Sequence, residues 1–229
     1  MLDVAKLEDK IGIKIKKESL FKTAFIHKSY VNEHRDEGLE HNERLEFLGD
    51  AVLELAATNY LFIKCPNRPE GELTAFRSAL VKGEHLAKVA QKLELGQHLF
   101  LSNGEERSGG RTKNYILANT VESLIGAIYI DSGFVVAEKF IQKFVLTNLD
   151  EIISKKLYID AKSRFQEECQ EKEGVTPHYE LVSDEGPDHN KVFTMGAYIG
   201  EKKIAEGKGA SKQKAEDSAA ENALNQLKW

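Results

Sequence analysis

Glu43, Glu46 and Asp50 stand at i, i+3 and i+7 in Asn42-Glu43-Arg44-Leu45-Glu46-Phe47-Leu48-Gly49-Asp50-Ala51-Val52-Leu53-Glu54-Leu55. On a helix this spacing puts the three carboxylates within an arc of roughly 60°, opposite a stripe of Leu45, Leu48, Val52 and Leu55. A fourth acid, Glu122, is the single charge across Ile116-Leu117-Ala118-Asn119-Thr120-Val121-Glu122-Ser123-Leu124-Ile125-Gly126-Ala127-Ile128-Tyr129-Ile130, with Asn119 one turn earlier on its face. An ionised group in so apolar a helix costs several kcal/mol unless it is compensated. Two helices that each present oxygens at i, i+3 or i+4 can build a divalent-cation site between them. Two plainer readings stand beside this one: a solvated acidic face around Glu46, and a buried hydrogen-bond network around Glu122.

The first element that must position these groups is a helix from Asn42 to Lys64, ended by Pro66. Its apolar circumference, with Phe47, Ala51, Leu53, Ala56 and Ala57 added to the stripe, predicts burial on several sides. The second is a helix over Tyr115 to Asp131. Two short helices are predicted from Leu2 to about Val31, with Lys14, Lys16 and Lys17 between them, and His27 in Phe25-Ile26-His27-Lys28-Ser29-Tyr30 reads as a structural hydrogen-bonder. Helical spacing resumes after Pro69 and continues to Leu93, with Arg77 directed to solvent or to a partner. Ser102 to Lys113 reads as a flexible glycine-rich loop with three bases, able to approach phosphate or simply to connect. An amphipathic helix over Ala137 to Ile153 closes this half.

From Asp160 the pattern changes. A helix capped by Asp160 runs to Glu173, and β-type alternation follows over Thr176 to Ser183, Lys191 to Ile199 and Glu201 to Glu206. A last helix spans Ser211 to Leu227 with Ala215, Ala219, Ala223 and Leu227 buried. The expected architecture is an all-α domain over 1–154 and a small α+β (α-β-β-β-α) domain over 155–229. Gly207-Lys208-Gly209-Ala210-Ser211-Lys212-Gln213-Lys214-Ala215 gathers three lysines at the start of the last helix, where free amides favour an anion. A plain solvated cluster is the alternative.

The 229 residues, 41% hydrophobic and 30% charged, are those of a globular chain with room for two cores. No apolar run has membrane-spanning length and no signal-peptide core opens the chain, so a cytoplasmic protein without a membrane partner is expected. Cys65 and Cys169 are too few for a disulfide framework or a zinc site. The net charge of −5 is not that of a polyanion binder. Neither half is basic: 10 Lys+Arg face 14 Asp+Glu from Asp160 onward, and 22 face 23 before it. Any nucleic-acid contact must therefore be a local patch.

Over nearly its whole length the chain resembles ribonuclease III. The stretch Asn42 to Leu53 is similar to that family's nuclease signature. Phe165-Gln166-Glu167 and Gly207 to Ala215 resemble its double-stranded-RNA-binding domain. The resemblance implies an endoribonuclease that cleaves duplex RNA by Mg²⁺-assisted phosphodiester hydrolysis, with one or two ions per site, about 4 Å apart if two. Mn²⁺ would substitute, and no organic cofactor is needed. Glu46, Asp50 and Glu122 fall on the metal-binding and catalytic acids, with Asp50 and Glu122 central. Asn119 falls on a further ligand position where many members carry aspartate. Glu43 and Glu70 fall on supporting acids. The products would be staggered, with 5′-phosphate ends, and the cellular role would be processing of ribosomal and other RNA. Two sites would come from homodimerisation through the signature helix, with Phe47 at the interface. Ser163, Gln166 and Glu167 would meet one minor groove and His189 a second, with Lys208, Lys212 and Lys214 on phosphates between them. The rival reading is a non-catalytic duplex-RNA-binding dimeric scaffold.

Overall fold

The computed structural model describes residues 2–187 and 191–229. The chain divides into two compact units, Met1–Ser154 and Lys155–Trp229. The first is helical: α1 (Val4–Ile11), α2 (Glu18–Ala24), α3 (Lys28–Glu33), α4 (Glu43–Lys64), α5 (Glu70–Val81), α6 (Gly83–Lys92), α7 (Asn103–Arg107), α8 (Asn114–Ser132), α9 (Phe134–Phe144) and α10 (Leu149–Ser154). Helix α8 is the hub and packs against α2, α4, α6 and α9. It is buried almost all round, from Ile116 through Ile128. Its hydroxyls bond back one turn, Thr120 Oγ to the Ile116 carbonyl at 2.6 Å and Ser123 Oγ to that of Asn119 at 2.7 Å, so neither hydroxyl is stranded there.

Helix α4 buries Leu45, Gly49, Val52, Leu53, Ala56, Ala57 and Leu61. The rest of the expected apolar surface is not covered within the chain: Phe47 is 81% exposed, Leu55 58% and Phe62 73%. Those three residues share a separate face of the helix. Burial on several sides is thus corrected to burial on one. Arg77 of α5 has a defined partner set: its guanidinium contacts Glu54 at 2.8 Å and donates to Thr58 Oγ at 2.9 Å, tying α5 to α4.

Three further expectations change. Three short helices precede residue 34, with α3 started by His27 as N-cap. The helix predicted over 137–153 is broken between α9 and α10, where the Val145 carbonyl accepts from His85 Nε2 at 2.7 Å. The 102–113 loop is built rather than flexible. Ser102 caps α7 through the Glu105 N–H, and Arg111 donates to the carbonyls of Gly96 and Leu99, each at 2.9 Å. Lys113 reaches Glu105 and Ser108, so two of the loop's three bases are spent on its own structure.

The second unit runs α11 (Ala161–Glu173), β1 (His178–Glu185), β2 (Val192–Ile199), β3 (Lys202–Gly209) and α12 (Lys212–Leu227), with an antiparallel sheet in the order β1-β2-β3. Phe165, Cys169, Ala197, Ile204, Ala219, Ala220, Ala223 and Leu224 form its core. Strand β3 extends to Gly209, three residues past the expected end. Glycine is needed there by packing: a Cβ on Gly207 would lie 2.0 Å from the Ala219 nitrogen, and one on Gly209 2.5 Å from that of Ala215. No described helix is long and apolar enough to cross a membrane.

Among the described glycines the tightest approach joins α4 to α8. A Cβ on Gly49 would lie 1.7 Å from the Glu122 carbonyl oxygen, and one on Gly126 2.3 Å from that of Leu45. Replacing Gly49 by alanine must push the two backbones apart. The expected loss is about 2–3 kcal/mol, read as a fall in Tm of roughly 5–10 °C. Helical Gly71, with nothing within 4 Å of its added Cβ, is the control, and Gly71→Ala should leave Tm unchanged or raise it.

Candidate active site

Each acid is placed by a local device. The Asn42 N–H bonds the Ile26 carbonyl at 2.9 Å, and the Asn42 carbonyl accepts from Glu46 N–H at 2.9 Å and from Ser123 Oγ at 3.4 Å. The start of α4 is thereby fixed to both the preceding chain and α8. The Gly49–Gly126 crossing then sets Glu46 and Asp50 of α4 against Asn119 and Glu122 of α8. Asp50 is exposed, while Glu46, Asn119 and Glu122 are half-buried.

The electrostatics record this juxtaposition. Burial raises the Glu122 carboxyl to about 7, with Asp50 and Glu46 adding to the rise. Burial also raises Glu46, against a hydrogen bond from the Asn119 side chain that favours its ionised form. Both acids are therefore destabilised as anions and are short of a positive partner.

Glu43 differs from them. It is exposed and paired with Lys28 at 3.0 Å and with His41 at 3.7 Å, and the Lys28 hydrogen bond lowers its pKa. Glu70 is not brought to the cluster within one chain. It accepts from Thr74 Oγ at 2.9 Å and lines a cavity of about 460 Å³ with Thr58, Leu61 and Phe62, two to three turns along α4 from Asp50. Asn42, expected only as the start of the helix and of the signature, also anchors it through its backbone. Lys28, which pairs with Glu43, had no sequence signal beyond its place beside His27.

The donor set fits a hard divalent cation: three carboxylates and an amide, two of the acids short of positive charge. Among the described residues no three acidic, imidazole or thiol groups close into a ready-made cage. Mg²⁺ seldom needs one, since it keeps several waters and uses one or two carboxylates plus substrate phosphate.

In the second unit Asp160 caps α11 through the Ser163 N–H at 2.9 Å, and Ser163, Gln166 and Glu167 are exposed along one face of that helix. Lys208 lies on β3 rather than in a loop, and Lys212 and Lys214 lie in the first turn of α12. All three are exposed, and among the described residues none has an ion-pair partner. His189 lies outside the described residues.

Residues 17–149 match the Ribonuclease-III-like family, and residues 161–227 match the double-stranded RNA binding motif. Fold and site thus define a nuclease domain followed by a duplex-RNA-binding domain. Ribonuclease 3 of Carboxydothermus hydrogenoformans is 44% identical over 97% of this chain and 94% of its own length. That of Pelotomaculum thermopropionicum is 42% identical over 95% and 90%. The solved nuclease domain of Campylobacter jejuni ribonuclease III aligns with a TM-score of 0.59 at 38% identity, covering 64% of this chain and 98% of that one. The chain belongs to the ribonuclease III family and is an endoribonuclease acting on double-stranded RNA.

The raised Glu122 pKa has a sign that can be measured. Between the ordinary carboxylate value of 4.5 and about 7, the unfolded chain ionises while the folded one keeps its proton, so cation-free stability falls as pH rises through this window. Glu122→Gln removes that penalty. In chelator it should melt above wild type at pH 8, by about 1–2 kcal/mol given the partial solvent access. The two should converge near pH 4.5. Mg²⁺ at pH 8 should raise the wild-type Tm more than that of the variant.

Proposed function

We propose that this enzyme hydrolyses duplex RNA with Mg²⁺ held by Glu46, Asp50, Asn119 and Glu122, leaving staggered 5′-phosphate ends. The observation that carries this reading is the glycine-to-glycine crossing of α4 and α8, which confronts Glu46 and Asp50 with Glu122 and lifts the latter to about 7. Mn²⁺ is an acceptable substitute. When bound, the cation supplies Lewis-acid polarisation of the phosphate and lowers the pKa of attacking water. Glu122 is part-protonated at neutral pH in the cation-free protein, and its proton leaves as positive charge arrives. Asp50, exposed at the mouth, faces substrate and solvent. Asn119 donates to Glu46 and offsets part of the rise that burial imposes on that carboxyl. Glu43 acts at one remove, holding Lys28 beside the site.

One site cuts one strand, so a staggered double cut calls for two copies. The homodimer is supported by the uncovered apolar face of α4, where Phe47, Leu55 and Phe62 lie together, and by the Campylobacter relative, whose nuclease domain has a region involved in dimer formation. Phe47 is assigned to that interface. In the second unit, Ser163, Gln166 and Glu167 read one minor groove and His189 another. Lys208, Lys212 and Lys214 neutralise phosphates between them, which gives recognition by shape and 2′-hydroxyls rather than by sequence. The cellular role is cytoplasmic processing of ribosomal-precursor and messenger RNA.

Asp50→Ala and Glu122→Ala should abolish Mg²⁺-dependent cleavage of a long duplex while leaving its affinity in Ca²⁺ nearly intact. Lys208, Lys212 and Lys214 changed together to alanine should do the converse, weakening affinity and flattening its salt dependence. Equal cleavage by the acid variants and wild type would overturn the assignment of these acids, whereas no cleavage by wild type in Mg²⁺ would leave the scaffold reading. Separately, Asn119→Asp should retain activity and reach half-maximal rate at lower Mg²⁺. A higher requirement would remove Asn119 from the ligand set.

A further inference from the structure

A cavity of about 100 Å³ adjoins the acids and is lined by His27, Asn42, Glu43, Glu46, Tyr115 and Asn119 among others. Of these, His27 has no part in the mechanism above. Its Nδ1 accepts the Ser29 N–H at 3.3 Å, capping α3, and lies 2.8 Å from Ser29 Oγ. Ser29 Oγ itself accepts the Ser102 N–H at 3.1 Å, which leaves its own proton for Nδ1. With two donors aimed at Nδ1, the ring proton of a neutral imidazole must sit on Nε2. Burial keeps His27 below its ordinary pKa, and protonation would turn Nδ1 into a donor facing donors. The ring therefore offers a fixed, uncharged Nε2–H, and among the described residues that hydrogen has no acceptor.

A cation at this place would be drawn onto the carboxylates, as Lys28 is onto Glu43. A neutral donor adds direction without cancelling the charge that a metal ion needs. We propose that His27 Nε2 donates to a backbone oxygen of the RNA strand being cut, a phosphate or ribose oxygen beside the reacting phosphate, and so positions that strand. The inference rests on the assignment of Glu46, Asp50, Asn119 and Glu122 as the cleaving site. His27 is a positioning residue with two jobs, Nδ1 for the fold and Nε2 for the substrate.

The two jobs are separable by side-chain length. His27→Asn keeps an acceptor for the α3 cap, a role asparagine fills well, but does not reach the cavity. His27→Gln restores an amide N–H near the Nε2 position. Single-turnover cleavage in Mg²⁺, duplex affinity in Ca²⁺ and Tm would be measured on the full chain. His27→Asn should cleave about 10–100-fold more slowly, with affinity within about threefold and Tm near wild type, and His27→Gln should regain part of the rate. A 2′-deoxy substitution beside the cleaved bond identifies the acceptor. Loss in wild type but not in His27→Asn marks the ribose hydroxyl, and equal effects in both mark a phosphate oxygen. Wild-type cleavage by His27→Asn would overturn the proposal, as would parallel loss of rate and Tm that His27→Gln does not reverse. Asp50→Ala in the same assay separates the failures: if it too cleaves, the site assignment is wrong, and if it alone is dead, only the role of His27 falls.

Discussion

Everything in the nuclease unit depends on the contact of two backbones at Gly49 and Gly126. A Cβ at either position would overlap the facing main chain, so α4 and α8 approach more closely than larger side chains allow. That proximity lets acids from one helix meet acids from the other. It also requires α8 to be covered on its remaining sides, and α2, α6 and α9 supply that cover. The apolar bulk of α8 and the uncompensated charge of Glu122 are thus two consequences of one crossing.

The crossing carries an electrostatic cost. Glu122 sits in a medium that disfavours its anion, with Asp50 and Glu46 adding repulsion. Such a cost persists only when surrounding packing holds the geometry, and the buried run from Ile116 to Ile128 does so. The neighbouring acids do not share the burden equally. Glu43, on the same face in the helical wheel, is neutralised by Lys28, whereas no lysine or arginine bonds Glu46 or Glu122 among the described residues. One helical stripe therefore holds both a screened acid and unscreened ones, and packing from α3 makes the difference.

Much of this was legible in the sequence. The period of Glu43, Glu46 and Asp50 fixed their common face, and Glu122 stood out because nothing else in its helix is charged. The alternating strands and the alanine stripe of α12 were readable for the same reason: regular elements repeat. What periodicity does not report is which apolar surface is covered within the chain. Leu55 and Phe47 share hydrophobicity with Leu53 and Val52 yet face outward. Nor does it report long-range anchors: Arg111 holds the 102–113 segment through carbonyls a dozen or more residues earlier, and composition alone suggested a loose loop. The Ser102-to-Glu105 spacing was the one local cue, as a capping box. Nor does periodicity report that the glycines of β3 are sites of close helix contact. The three lysines beside them are exposed.

Asn119 carries the argument one step further. An aspartate there would add a fourth negative charge beside groups already short of positive partners, raising Glu46 and Glu122 still more. The amide instead donates to Glu46 and counters part of the effect of burial on that carboxyl. The site thereby carries one negative charge fewer and has a less strained resting state. His27 shows the same solution on the next wall of the cavity: a neutral donor, locked by Ser29, where a charged one would collapse onto the acids. Around this cluster Asn119 and His27 stand as uncharged hydrogen-bond donors, and Glu46 and Glu122 keep their unbalanced charge.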